Sequence, residues 1–320
     1  MSINADKPHL WKSDTRASVD QFNQWFLRFA PKAYRETRKS TVEIVENGLS
    51  LTEDLTTITP DILHAHPGIL PTLRMSTCPP LARDRLIGLA DSSKNLVGSL
   101  EEGRIPPRLS SEMLQTHLER ITTVLVNMLD IDIFPWLTEH RRPTAEERYR
   151  SSTIVADRLC GAVADPIVRN AQEKRQLALI EEYLIARGYR KAEHASGVPI
   201  TQMEPGTFGF RINVLVTPSK TDAKTVKIPI DAVVQPKSAI LPHLPVLIEA
   251  KSAGDFTNVN KRRKEEATKV NQLRSTFNGT VVFALFLCGY FDAAYLGYEA
   301  AEGIDWVWEH RIGDLEQLGI

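Results

Sequence analysis

The sequence predicts an α/β protein with a mainly helical N-terminal half and a mixed sheet in its C-terminal half. Apolar residues recur at helical spacing up to about residue 190, and after Gly188 they alternate with a period of two. A chain of 320 residues is long enough for about two domains. We therefore expect a helical region over 1–162 and a sheet-containing region over 163–320.

Five helices are expected in the first half of the chain. Pro31 should kink or end the first of them, and Gly161 should end the fourth. Asp165-Pro166 has the residue types of an N-cap and a first helical position. Residues 49–82, which are rich in Thr and Pro, should form loop with short helical turns. The five predicted helices span 18–31, 34–46, 110–130, 144–160 and 165–187.

The second half is expected to contain four main strands, each bounded by Pro, Gly or Asp turns. They span 207–216, 225–234, 245–250 and 280–287. A helix over about 258–277 lies between the last two of these strands. Because a strand, a helix and a strand in that order form a crossover connection, the last two strands should be parallel neighbours in a mixed sheet.

Composition restricts the class of protein. Lys plus Arg number 39 and Asp plus Glu 40, so any binding of nucleic acid must come from local basic patches. The 3 widely spaced cysteines offer neither a disulfide framework nor a zinc module and favour a reducing compartment. No apolar run reaches the length of a membrane span. We expect a cytoplasmic protein without a membrane partner.

The residues that best indicate chemistry lie on two neighbouring predicted strands. Asp231 lies within one strand, and Glu249-Ala250-Lys251 closes the next. Side chains two residues apart on a strand point to the same face, so Glu249 and Lys251 project together and an adjacent strand can place Asp231 beside them. Two carboxylates and an ammonium group would then share one small site.

Such a trio suits the hydrolysis of a phosphodiester bond. Paired carboxylates hold a hard cation such as Mg²⁺, and the Ala250 carbonyl is a plausible further ligand. The cation lowers the pKa of a bound water and stabilises negative charge on the phosphorus oxygens, while Lys251 can position that water. The alternative is that Glu249 and Lys251 form a simple salt bridge. The same triplet pattern also occurs at 222–224, but there no apolar strand precedes it.

Asp231, Glu249, Ala250 and Lys251 are the residues at which the sequence resembles the PD-(D/E)XK nuclease superfamily. Residues 229–231, Pro-Ile-Asp, stand for the PD half, with one residue intervening between Pro and Asp. The resemblance extends to the XamI-type restriction endonucleases. It is carried by LRMSTCPPLARDRLIGLA (73–90), ADRLCGAVADPIVRNAQEKRQL (156–177) and LIEAKSAGDFTNVNKRRKEEA (247–267).

The resemblance implies the fold, the activity and the partners. The C-terminal half would be a PD-(D/E)XK catalytic core, and the helical half would supply DNA recognition and dimerisation. The enzyme would be a type II restriction endonuclease that uses Mg²⁺ and cuts double-stranded DNA at a short palindrome as a homodimer, leaving 5′-phosphates. A cognate DNA methyltransferase is expected as its genetic partner.

Further residues are candidates for supporting roles. In the superfamily, the helix before the first core strand often lends a Glu to the metal site; here Glu181 can point to the sheet edge, whereas Glu182 should face water. Both could instead be solvated surface charges. The basic cluster Lys261, Arg262 and Arg263 follows the catalytic strand and could contact phosphates, or could be a solvated helix face. Further candidates for DNA contact are Arg83 and Arg85.

Two other functions remain open from the sequence. A repair or structure-specific DNA nuclease could use the same active site while recognising DNA shape. A non-catalytic DNA-binding protein could carry the same charged residues as salt bridges only.

Overall fold

All described strands lie in the second half of the chain, whereas most of the described helices begin in the first half. The computed structural model describes residues 2–194, 198–217, 225–257, 259–278 and 281–320, and of residues 259–263 it describes the backbone only. Among these residues, no helix is both long and apolar enough to cross a membrane. The described α-helices are α1 (Pro8–Leu51), α2 (Pro60–Ala65), α3 (Leu70–Met75), α4 (Arg83–Leu89), α5 (Lys94–Glu101), α6 (Ser111–Asn127), α7 (Trp136–Glu139), α8 (Ala145–Ala186), α9 (Val259–Thr276) and α10 (Ala293–Ala301).

The described strands form one mixed sheet in chain order. β2 pairs with β3, and β3 with β4, in antiparallel fashion, whereas β1–β2, β4–β5 and β5–β6 are parallel pairs. Helix α9 lies between the parallel strands β4 and β5 in the chain, which confirms the predicted crossover. The strands are β1 (Arg190–Lys191), β2 (Thr207–Val216), β3 (Val226–Val234), β4 (Val246–Ala253), β5 (Phe283–Gly289) and β6 (Asp305–Trp308).

Two compact units divide the chain. One comprises Met1–Phe29 and Arg169–Ile320 and contains the sheet; the other comprises Ala30–Val168 and is helical. In the first unit, one face of the sheet packs against α9 and α10, through residues such as Leu273 and Leu296. The other face packs against the part of α8 that carries Ile180. The assignment of DNA recognition and dimerisation to residues 1–162 stays a prediction.

The first helix is longer than predicted. α1 continues through Pro31 and through Asn47-Gly48, where the sequence led us to expect breaks. Proline in a helix interior costs about 3 kcal/mol, which the burial of apolar side chains along the helix outweighs. Gly48 has a different role: a Cβ at this position would lie 2.9 Å from Cγ2 of Thr72. The glycine allows α1 and α3 to approach each other.

The predicted interruption between residues 160 and 165 is also wrong. α8 runs without a break through Gly161 and Pro166, although its start is as expected. The backbone N–H of Glu147 donates to Thr144 Oγ1 at 3.2 Å, and that of Thr144 to Glu147 Oε2 at 2.8 Å, as in a capping box. Buried residues before and after the proline, such as Leu159, hold this helix against its neighbours. Tertiary packing thus overrides the local signals.

Candidate active site

The regular pairing of β3 with β4 ends at Ala232 and Ile248. One residue beyond this pair, Asp231 Oδ2 accepts a hydrogen bond of 2.9 Å from the backbone N–H of Ala250. A carboxylate therefore takes the place that a main-chain carbonyl of β3 would occupy in a continued ladder. Since the N–H and C=O of one strand residue point to the same side, the Ala250 carbonyl is also directed toward β3.

Glu249 and Lys251 lie on the face of β4 that is covered by α9. The sequence led us to expect that this strand ends at Lys251. β4 continues to Ala253, so Lys251 lies within the strand. Leu247, which alternation places on the same face, belongs to the apolar cluster that contains Val270 of α9. Lys251 Nζ lies 3.3 Å from Glu249 Oε1. The strand thus presents a carboxylate and an ammonium group side by side under a helix.

Helix α9 adds a second lysine to this site. Lys269 Nζ donates to Glu249 Oε1 at 2.6 Å and to the carbonyl of Pro229 at 2.9 Å. The side chain of Lys269 is 20% exposed and that of Glu249 6%. Glu249 is therefore a nearly buried carboxylate that receives hydrogen bonds from two ammonium groups.

Helix α9 also supplies a third carboxylate. Glu266 Oε1 lies 3.9 Å from Lys251 Nζ, and its side chain is 3% exposed. The hydroxyl of Tyr295, from α10, donates to Glu266 Oε2 at 2.7 Å. Lys251 therefore lies between two carboxylates, and one of them is fixed by a buried tyrosine.

The charges of the cluster shift the pKa values of two members. Burial, and then the nearby Glu249, raise the pKa of Asp231 to about 6, against the opposing effect of Lys251 and Lys269. Burial alone would lower the pKa of Lys251, but Glu249, Glu266 and Asp231 outweigh it, so this pKa is raised. Lys251 therefore keeps its proton at neutral pH. A further cation would stabilise the ionised form of the buried Asp231 carboxylate.

The donor set fits a divalent cation of the hard type. Glu249 Oε2 is buried and has no hydrogen-bond partner among the described residues. Asp231 lies close enough to Glu249 for the two negative charges to interact. Oxygen donors of this kind suit Mg²⁺ and similar ions. The described residues do not contain a group of three or more His, Cys, Asp and Glu side chains arranged for a metal, so backbone and water oxygens would have to complete the coordination.

Comparison with known proteins decides the family. The family model for the XamI restriction endonuclease matches residues 53–308. The chain belongs to the XamI restriction endonuclease family. It is similar to the type II restriction enzyme SalI of Streptomyces albus G, with 56% identity over 317 residues that cover 99% of each chain. No solved structure matches the chain.

The predicted activity of this XamI-family member is confirmed. It is a type II restriction endonuclease, a site-specific enzyme that cleaves DNA, and the two alternative functions give way to this one. Type II restriction endonucleases generally use divalent metal ions, which agrees with the chemistry of the donor set. Its fold is mixed α/β with the helical N-terminal half that was expected.

The two acidic residues of α8 that were candidates from the sequence, Glu181 and Glu182, have different surroundings. Glu181 forms an ion pair with Lys191, with both carboxylate oxygens 3.0 Å from Nζ. Glu182 is exposed, as predicted. Gln176 of α8 contacts β4 directly, because its Nε2 donates to the carbonyl of Lys251 at 3.3 Å. The structure thus brings Asp231, Glu249 and Lys251 together and gives Glu181 a different described partner.

The residues predicted to contact DNA lie on two elements, α4 and α9. Arg83 and Arg85 are exposed on α4, in the helical unit, and Arg83 Nη1 lies 3.8 Å from Glu101. Lys261, Arg262 and Arg263 belong to the first turns of α9, and their side chains lie outside the described part of the structure.

The interpretation of the sequence missed two site residues on α9. These are Glu266 and Lys269, which were not among the candidates for the active site. A signal was nevertheless present, because both residues fall on the helix face that carries Val270 and Leu273, which are buried. A charged residue on an otherwise apolar helix face needs a buried partner. Here those partners are Lys251 and Glu249.

Proposed function

We propose that the enzyme hydrolyses phosphodiester bonds of double-stranded DNA with Mg²⁺ at the site formed by Asp231, Glu249 and Lys251. The observation that carries this proposal is the end of the β3–β4 ladder, where the Asp231 carboxylate bonds to Ala250 N–H beside the Glu249–Lys251 pair. Apolar side chains at these positions would allow the same strands to pack without the free-energy cost of burying charges. The retained charges therefore indicate a chemical role.

Asp231, Glu249 and the carbonyl of Ala250 would hold the Mg²⁺ ion. Glu249 offers its buried Oε2, which no described group contacts by a hydrogen bond. When bound, the ion supplies charge stabilisation for the phosphorus oxygens and a lower pKa for water. It would also satisfy the two carboxylates, whose mutual repulsion contributes to the raised pKa of Asp231.

The two lysines would have separate tasks. Lys251, which keeps its proton, can donate hydrogen bonds to the attacking water and to a phosphate oxygen. Lys269 holds Glu249 Oε1 and thereby fixes the carboxylate that receives the ion. Glu266, whose Oε1 lies 3.9 Å from the ammonium group, would help to hold Lys251 in place. These contacts would preorganise the site before DNA arrives.

The architecture is consistent with a PD-(D/E)XK core. In this proposal α8, the antiparallel strands β2–β3–β4, α9 and the parallel strand β5 form the core. Residues 163–320 would form the catalytic region and residues 1–162 the region for recognition and dimerisation. A homodimer would match a short palindromic site, because a two-fold symmetric protein presents the same surface to each half-site.

The proposal also covers the cleaved ends, the genetic partner, the DNA contacts and Glu181. Hydrolysis would leave 5′-phosphates, and a cognate DNA methyltransferase would protect the host DNA. Lys261, Arg262 and Arg263 at the start of α9, with Arg83 and Arg85 on α4, would contact DNA. Glu181 is the remaining candidate from helix α8 for the metal site.

Plasmid cleavage with purified variants tests the site. Asp231→Asn, Glu249→Gln and Lys251→Met should each abolish Mg²⁺-dependent cleavage, while Asp165→Asn, an exposed change on α8, should cut like the original enzyme. End-labelling of the fragments before and after phosphatase treatment identifies 5′-phosphates. Full activity of the first three variants would refute the assignment. Glu181→Gln decides that residue separately: loss of cleavage keeps it in the site, and unchanged cleavage removes it.

A further inference from the structure

A groove with a volume of about 910 Å³ runs along β2 in the unit that contains the sheet. β1 pairs only with Thr207 and Phe208 of β2, so beyond these residues no described strand covers that edge. Three cationic side chains line the groove, with Glu193 as the carboxylate among its lining residues. These cations are Lys191, Arg211 and Lys227.

Arg211 has an unusual backbone for a residue inside a strand. Its φ is 52°, in the left-handed region that side chains other than glycine rarely adopt. Such a conformation costs of order 1 kcal/mol or more and concentrates at functional sites. The register pairs Phe210 with Ala232 and Ile212 with Ile230, which places Arg211 across from Asp231. The strained residue is therefore the strand neighbour of the proposed catalytic carboxylate.

The groove borders a second depression that reaches a neighbour of the candidate active site. Lys227 lines both this groove and a second, shallower depression between β3 and α9. Pro229 and Lys269 line the second depression. Lys269 is the residue whose ammonium group bonds to Glu249. A bound linear polymer could thus extend from the groove to the proposed catalytic residues.

The cations of the groove are available to an anionic ligand. Lys227 is exposed and has no carboxylate within ion-pair distance among the described residues. Arg211 pairs with Glu173 at 2.7 Å, and its side chain is 59% exposed. Lys191 pairs with Glu181, and its side chain is 52% exposed. Exposed pairs of this kind contribute only about 0–1 kcal/mol, so a phosphate can replace the carboxylate at little cost.

We propose that this groove binds the sugar-phosphate backbone of the DNA next to the scissile phosphate, through Arg211, Lys191 and Lys227. The occupant is DNA because the lining is cationic, the groove leads to the proposed site of phosphodiester hydrolysis, and the enzyme cleaves DNA. The proposal depends on the location of the active site given above.

Salt dependence of DNA binding tests the proposal. The probe is a fluorescein-labelled duplex cut from a plasmid region that the enzyme cleaves, and its anisotropy is measured without divalent metal from 50 to 300 mM KCl. Each phosphate contact adds about 0.9 to the slope of log Kd against log salt. Arg211→Asn and Lys227→Gln should each lower that slope by about one. Asparagine is chosen because it tolerates the left-handed backbone.

The matched control is Arg190→Gln. Arg190 is exposed on β1 beside Lys191, pairs with Glu204, and does not line the groove. The slope of log Kd against log salt for Arg190→Gln should equal that of the unmodified enzyme. If Arg211→Asn and Lys227→Gln also keep that slope, the groove does not bind DNA. Lys227 is exposed, so the second variant still decides the question if Arg211→Asn fails to fold.

Two other outcomes are distinguishable. If the groove were covered by a second copy of the chain, the two variants would change the sedimentation coefficient of the free enzyme and not the slope, which would overturn the proposal. Failure of the active-site assignment would appear as cleavage by Asp231→Asn or Glu249→Gln. The metal-free slopes do not depend on that cleavage, so each proposal can fail without the other.

Discussion

Lys269 of α9 and Glu249 of β4 are joined by a hydrogen bond of 2.6 Å between Nζ and Oε1. The same ammonium group donates to the carbonyl of Pro229 on β3. One lysine thus links a helix to two strands at the place where those strands stop pairing. The bond uses Oε1 and leaves Oε2 for the proposed cation, so the lysine orients the carboxylate but also places a positive charge beside the proposed metal site.

Replacement of this lysine should strengthen metal binding. In Lys269→Met the proposed cation, which binds through Glu249 Oε2, meets one positive charge fewer. We expect Mn²⁺ or Mg²⁺ to bind about tenfold more tightly, which corresponds to roughly 1.4 kcal/mol, in isothermal titration calorimetry without DNA. The metal-free variant should also melt at a lower temperature, since Glu249 then keeps only one of its two ammonium partners.

Lys264→Met is the control for that experiment. Lys264 is exposed on the same helix, five residues earlier in the sequence, and its replacement should leave the metal affinity unchanged. Equal or weaker metal binding by Lys269→Met would show that the charge of Lys269 does not oppose the cation. Lys269→Gln, which keeps a donor for the carbonyl of Pro229 without the charge, should behave like the methionine variant.

The tyrosine behind Glu266 should influence turnover without touching DNA. Tyr295→Phe removes the hydroxyl that donates to Glu266 Oε2 at 2.7 Å, so Glu266 holds Lys251 less firmly. We expect kcat for DNA cleavage to fall about tenfold, because small displacements of a catalytic group have large effects on rate. KM should change little, and the free energy of unfolding should fall by about 1 kcal/mol.

Tyr149→Phe provides the comparison, since the side chain of Tyr149 is 74% exposed. It should retain both kcat and stability. A lower melting temperature in Tyr295→Phe with unchanged kcat would mean that the tyrosine stabilises the fold only. Glu266→Gln, which keeps the size of the side chain and can still accept from Tyr295, should reproduce the loss of kcat.

Much of the sheet could be predicted from residue patterns, and for a physical reason. Strand alternation and the Pro, Gly and Asp turns around it are local properties, and they correctly indicated β2, β3, β4 and β5. The neighbourhood of Asp231, Glu249 and Lys251 followed from period-two geometry, and their contacts agree with it. The family resemblance extended this pattern to a function, which the comparisons confirm.

Other features depended on contacts distant in sequence. Pro31 and Pro166 resemble helix boundaries, but burial on the two long helices outweighs the cost of each proline. Gly48 resembles a helix end, and its actual role is to make room for Thr72. The position of Lys269 over Glu249 depends on how α9 packs on the sheet, which no local pattern specifies.

The thiols should differ in reactivity. Cys78 is exposed, whereas Cys160 and Cys288 are buried. Burial, followed by the charge of Glu309, raises the pKa of Cys288 to about 12, so almost no thiolate forms there at pH 8. We expect Ellman's reagent to react rapidly with one thiol in the native enzyme and with all 3 cysteines in urea. Cys78→Ser should remove the rapid phase; its persistence would contradict the assigned burial.

Asp231 should make the metal-free enzyme less stable at high pH. Its pKa is about 6 in the folded protein, against 3.8 for an ordinary Asp, so between these values the folded state holds a proton that the unfolded chain has released. The contribution of this group to the free energy of unfolding therefore rises as the pH falls from above 6 toward 4. Above pH 6 the ionised carboxylate bears the full cost of burial beside Glu249.

Asp231→Asn should therefore raise the melting temperature in EDTA at pH 8, and the gain should shrink when the same melts are recorded at pH 5. The comparison at each pH is between the variant and the unmodified enzyme, so the titration of other groups largely cancels. Asp165→Asn, at an exposed position of α8, should show no such pH-dependent gain. An equal gain at pH 8 and pH 5 would mean that the carboxylate is not protonated in the acidic sample, and the raised pKa of Asp231 would then be wrong.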